Sequence, residues 1–128
     1  MQMPMKISSK VLSNTDIHNR LSMQTRSLQH LPRFPVGQNC QILYLEDEEG
    51  ETWTFHFIIR KGTYQKPVLS AGWKKFVKKK NLQKGFKVEF FKERDEVTGQ
   101  LKYKIKLKKP VFVFNEVLDY VPFRFSQS

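Results

Sequence analysis

This sequence predicts a small β-barrel-like domain of seven short strands and two short helices. Three observations carry that expectation. Several segments alternate apolar and polar residues with a period of two, as a strand with one face in a core must. Two pairs of these segments flank polar, glycine-containing turns, the pattern of a hairpin. No strand–helix–strand rhythm appears, which argues against a parallel α/β sheet. The 128 residues fit one domain. A hydrophobic content of 39%, with 11 Phe, fills one core without disulfide staples.

The elements follow in order. "MKISSKVL" makes a first strand from Lys6 to near Leu12, and "SNTD" reads as a turn of residues that bond their own backbone. "NRLSM" alternates and is a short second strand. In "TRSLQHL", Thr25 is the expected N-cap of a short helix carrying Leu28 and Leu31. "NCQILYLEDEEGETWTFHFIIR" reads as a hairpin, with Trp53, Phe55 and Phe57 on one inward face. A polar loop, "RKGTYQK", leads to the short strand "PVL". Ser70 is the expected cap of a helix over residues 71–80. Its apolar stripe is Trp73, Phe76 and Val77, and Lys74, Lys75, Lys78, Lys79 and Lys80 make a solvated outer face or a general attraction for phosphate rather than base readers. "KVEFFKE" and "LKYKIKL" form a second hairpin around "RDEVTGQ". The aromatic "PVFVFNEVLDYVPFRF" is strand-like and either wraps the barrel or continues into a partner. Residues 1–5 are expected to be a flexible lead, 6–120 the domain and 121–128 a tail.

The formal net charge is +11, which suggests a polyanionic partner, either nucleic acid or an acidic membrane surface. The charge is segmental. Residues 41–55 hold five acids and no base, whereas residues 56–92 hold eleven bases and one acid. One basic face on a folded domain fits this better than a polybasic tail. No stretch approaches the ~20 apolar residues of a membrane span, so no membrane partner of that kind is expected. "MQMPMKISSK" lacks the apolar run of a signal peptide. The lone Cys40 fits a reducing compartment.

Chemistry finds little support. His18, His30 and His56, with one Cys, show no metal-ligand spacing. No serine sits in a nucleophile elbow, and Gly62, Gly72 and Gly85 are isolated rather than a phosphate loop. "EDEEGE" reads as a solvated hairpin tip. Neither an enzyme nor a cofactor is expected. What remains is a basic β domain with two loops rich in Arg, Lys, Asn and Gln, "DIHNRLSMQTR" and "IRKGTYQKP". Those residue types contact phosphates and read base edges in the major groove.

An ordered series of motifs resembles the B3 domain of plant transcription factors. "VLSNTDIHNRLSM" is similar to its opening, Phe34-Pro35 follows the first helix, and Trp53 to Phe91 is similar to its long Trp-x-Phe … Gly-Trp-x-x-Phe-Val … Leu-x-x-Gly signature. The resemblance covers about residues 8–107. It implies a mainly β fold, the seven-stranded open barrel (B3 pseudobarrel) with two short α-helices. It further implies sequence-specific binding of double-stranded DNA in the nucleus through two arms. The first arm falls on His18, Asn19, Arg20, Ser22, Gln24 and Arg26. The second falls on Arg60, Lys61, Gly62, Thr63, Tyr64, Gln65 and Lys66. The sequence departs from the family pattern at Met23-Gln24-Thr25, where Ile-Pro-Lys is frequent, at Gly85-Phe86, where Gly-Asp is frequent, and in the second arm.

Two other readings stand beside this one. A protein-interaction or dimerisation module that has lost specific DNA binding is the alternative, with a homo- or hetero-oligomer formed through the C-terminal aromatic segment. Single-stranded nucleic-acid binding ranks last, because it needs exposed aromatics and the alternation turns Trp53, Phe55 and Phe57 inward.

Overall fold

The computed structural model describes residues 4–59 and 66–123. The elements are β1 (Met5–Val11), α1 (Asn14–His18), β2 (Leu21–Ser22), a 3₁₀ helix (Thr25–His30), β3 (Cys40–Glu46), β4 (Thr52–Ile59), β5 (Pro67–Leu69), α2 (Trp73–Lys80), β6 (Lys87–Arg94), β7 (Leu101–Val113) and β8 (Glu116–Pro122). Seven strands form one curled half-barrel sheet in the order β1-β6-β7-β3-β4-β5-β2. Neighbours are antiparallel except at a parallel bridge between Glu46 of β3 and Lys104 of β7. These are the seven strands expected from the alternation. The C-terminal segment supplies an eighth, β8, which pairs with β7 off that path.

The period of two becomes the core through register. Leu43 faces Phe55 and Leu45 faces Trp53 across β3–β4, while Phe90 faces Ile105 and Val88 faces Leu107 across β6–β7. All eight side chains are buried. The α2 stripe of Trp73, Phe76 and Val77 packs into the same core. Phe76 meets Trp53 edge-on at 5.0 Å and Phe55 at 5.6 Å, the orientation ring quadrupoles favour.

Four local expectations change. "SNTD" is not a turn but the start of α1. The Ser13 hydroxyl accepts the Asp16 N–H, and the Asp16 carboxylate accepts the Ser13 N–H, a reciprocal capping box. Thr25 opens a 3₁₀ helix rather than capping an α-helix, and its cap position, Gln24, makes no side-chain cap bond. The Leu28–Leu31 spacing of three suits the 3₁₀ repeat. Ser70 does not cap α2. Gly72 holds that position with φ of 95°, and a Cβ there would lie 2.4 Å from the Thr54 carbonyl oxygen. Only glycine lets the helix start this close to β4.

The fourth change concerns Lys80 and "EDEEGE". Lys80 is buried, not on the solvated face, and its ammonium lies 2.7 Å from the buried Asp47 carboxylate. Asp47 also accepts from Trp53 Nε1 at 2.8 Å and from the Glu49 and Glu51 N–H groups. The acidic tip is therefore partly an internal brace between the β3–β4 hairpin and α2. Burial opposes ionisation of Asp47, but the bonds from Lys80, Trp53 and Glu51 outweigh it and hold the carboxyl below its ordinary range. Glu89 follows the same logic. Burial is outweighed by Lys6 at 2.6 Å and Lys108 at 2.9 Å.

The C-terminal hairpin has another character. Phe114 and Asn115 turn the chain with φ of 52° and 67°. Its base is anchored: the Phe123 N–H donates to the Leu107 carbonyl at 2.9 Å, and the Phe123 ring packs on Phe86 at 5.0 Å. Its outer part is uncovered. Phe112 is 60% exposed, Leu118 71% and Phe114 96%.

Candidate nucleic-acid interface

The first arm grows out of α1 and β2, and its foundation is the core. Trp73 Nε1 donates to the Asp16 carbonyl at 2.7 Å, tying α1 to the start of α2. Asn19 ends α1, its N–H donating to the Thr15 carbonyl at 2.9 Å. Leu21 is fully buried and pins β2 against β5, opposite Leu69. The run between these anchors therefore turns outward, and Asn19 and Arg20 are exposed.

The chain then divides the sequence-predicted residues. Asn19, Arg20, Ser22 and Lys66 line one concave cleft of about 850 Å³. His18, Gln24 and Arg26 do not line it. The His18 ring folds back on the Asn14 carbonyl at 2.9 Å, and Arg26 Nε donates to Gln24 Oε1 at 2.7 Å. Of the second arm, only Lys66 lies among the described residues, exposed just before β5; Arg60, Lys61, Gly62, Thr63, Tyr64 and Gln65 lie outside them.

Two cations outside both predicted arms also line the cleft, Lys10 at the end of β1 and Lys74 in the first turn of α2. Gly72 admits α2 close to β4, and this brings the first turn to the cleft wall. Among the described residues, Asp16 is the only acid lining the cleft. Its carboxylate is already committed to Lys10 and to the Ser13 N–H. Arg20, Lys66 and Lys74 thus leave the cleft with uncompensated positive charge, suited to a polyanion. Lys75, Lys78 and Lys79 are exposed on the outer face of α2, as the stripe implied. No group of three His, Cys, Asp or Glu placed to hold a metal occurs among the described residues.

Comparison with known proteins decides the family. A model of the B3 DNA binding domain matches residues 9–109. The chain belongs to that family. It is 31% identical over 85 residues to the B3 domain-containing transcription factor NGA4 of Arabidopsis thaliana, covering 65% of this chain and 25% of the relative. It is 34% identical over 95 residues to auxin response factor 17 of Arabidopsis thaliana, covering 70% of this chain and 16% of the relative. The chain thus spans a quarter or less of these two relatives. The B3 fold is shared with the solved complex of the Arabidopsis thaliana transcription factor LEC2 with DNA: TM-score 0.65 at 16% identity, covering 81% of this chain and 95% of that one. Membership in a family of DNA-binding domains, rather than of enzymes, agrees with the expectation drawn from the residues.

Proposed function

We propose that this chain is the sequence-specific, double-stranded-DNA-binding domain of a transcriptional regulator acting in the nucleus. The observation that carries the reading is the cleft. Asn19, Arg20 and Ser22 of the first arm share it with Lys66, the foot of the second, and three of its cations have no carboxylate partner among the described residues. The solved relative in complex with DNA has the same fold. Lys74 and the outer lysines of α2 supply phosphate attraction, and Asn19, Arg20 and Ser22 of the first arm, with the second arm from Arg60 to Lys66, supply base contacts in the major groove. Arg20 is the leading base reader, because a guanidinium bonds guanine at two points.

An electrophoretic shift across a salt series tests the electrostatic half. Affinity should fall steeply with salt, its logarithm dropping linearly with log salt by about 0.9 per phosphate contact. A shift indifferent to salt would contradict it.

A second reading rests on the C-terminal hairpin. Phe112, Phe114 and Leu118 are exposed apolar side chains on this hairpin, outside the matched residues 9–109. Apolar patches of this kind serve contacts between proteins, so the domain oligomerises through it. Sedimentation at several concentrations checks this: a mass that rises with concentration supports it, and a strict monomer removes it.

A further inference from the structure

We infer that Lys10 is a positioning residue for the first arm and not one of its phosphate contacts. The inference rests on the DNA-binding reading above and deepens it. Lys10 lines the same cleft as Arg20, Lys66 and Lys74, so charge alone would count it among the cations that meet a phosphate. Its geometry assigns otherwise. A lysine ammonium has three N–H donors and no acceptor. Lys10 Nζ has three protein acceptors: Asp16 Oδ1 at 2.9 Å, the Ser22 carbonyl at 2.9 Å and Ser22 Oγ at 2.7 Å. A phosphate oxygen could gain a donor only by breaking one of these.

Those acceptors lie on different elements, which is what gives the contact its role. β1 and β2 are the two ends of the sheet path and are not paired with each other, so the half-barrel has a seam between them. A narrow groove runs along it, lined by Ser8, Ser9, Leu21 and Met23 among others. Lys10 reaches from β1 across this seam to Ser22 in β2 and also holds Asp16 in α1. Asp16 is itself immobilised. It is 2% exposed, its other carboxylate oxygen accepts the Ser13 N–H at 2.8 Å, and its carbonyl accepts from Trp73 Nε1 at 2.7 Å. A continuous series of bonds runs from the buried Trp73 through Asp16 and Lys10 to Ser22. Asn19 and Arg20 lie between its two arm contacts, Asp16 and Ser22. The segment meant to enter the groove is therefore ordered before DNA arrives, which removes part of the cost of binding. The pair with Asp16 also neutralises Lys10, so it adds little to the field of the cleft.

The test compares the unaltered chain with Lys10→Met and with the double variant Lys10→Met/Asp16→Asn. The double variant leaves no carboxylate buried without its cation and keeps an acceptor for the Ser13 N–H. Amide hydrogen exchange, read without DNA, should quicken on the order of tenfold at residues 19–22 in both variants and stay unchanged in β6 and β7. Against a duplex selected by the unaltered chain, affinity should fall on the order of tenfold, the scale of one charge-assisted hydrogen bond. Affinity for random duplex and the salt slope should not move. A salt slope reduced by about one, with equal loss on selected and random duplex, is the signature of a phosphate contact and overturns the inference. Unchanged exchange at residues 19–22 overturns it as well. If the unaltered chain retains no duplex, the DNA reading fails, and the exchange comparison alone still decides whether Lys10 braces this segment.

Discussion

The cleft and the C-terminal hairpin sit on the same sheet and are built in opposite ways. At the cleft, the exposed polar residues stand on a buried base. Trp73, Leu21 and Asp16 are at most 2% exposed beneath Asn19 and Arg20. At the hairpin, Phe112, Phe114 and Leu118 are exposed above a base anchored mainly by Phe123 and Lys87, whose ammonium lies 4.8 Å over the Tyr120 ring. The charges differ too: Arg20, Lys66 and Lys74 at the cleft, Glu116 and Asp119 on the outer part of the hairpin, beyond Lys108 and Lys109 at its base. The contrast teaches where this fold fixes geometry. A surface that must read base edges needs side chains held from below, whereas a surface that only excludes water can tolerate a loosely supported tip.

The largest way to break the contrast is Trp73→Ala. It removes a fully buried ring and the bond to the Asp16 carbonyl, and it should cost about 3–5 kcal/mol in urea unfolding. Gly72→Ala comes next. The added Cβ meets the Thr54 carbonyl at 2.4 Å in a left-handed backbone, and about 2–3 kcal/mol should be lost, with α2 displaced at the cleft wall. Arg20→Ala should leave unfolding unchanged and weaken binding to a selected duplex by about 1–3 kcal/mol in a titration. Phe114→Ser at the hairpin tip should change stability by about 0.5 kcal/mol or less and leave DNA affinity alone. A large stability loss there would mean the tip is covered in solution.

Acid offers a control on the shared base. Asp47 and Glu89 have folded pKa values below their unfolded ones. Their ion pairs therefore add stability above about pH 4, and that stability is lost as pH falls through the folded values. Urea midpoints at pH 7 and pH 3 should show the decrease, and it should be smaller in Asp47→Asn. An equal decrease in that variant would remove Asp47 from the account.

Much of the fold was legible because its signals are local. The alternation of Trp53, Phe55 and Phe57 and the i, i+3, i+4 spacing of Trp73, Phe76 and Val77 each fix a face without reference to distant residues. What escaped was either reciprocal or long-range. The Ser13–Asp16 box has a turn's composition and becomes a helix start only through two bonds made together. Lys80 stands at i+7 from Trp73, on the face of the apolar stripe, but its residue type disguised that position, and its partner Asp47 is 33 residues away. At the site, residue type singled out six positions of a first arm, yet it could not tell Asn19, Arg20 and Ser22, which line the cleft, from His18, Gln24 and Arg26, which do not. Nor could it find Lys10, whose role depends on a seam that exists only in the folded sheet.

The central claim is that the cleft end of this domain reads DNA sequence. Selection of duplexes from a random library by the unaltered chain, repeated with Arg20→Ala, tests it most directly. Enrichment of one motif, with a preference relaxed at a single position in the variant, is the expected result. A pool that stays random through successive rounds would contradict the claim and leave the hairpin as the surface to pursue.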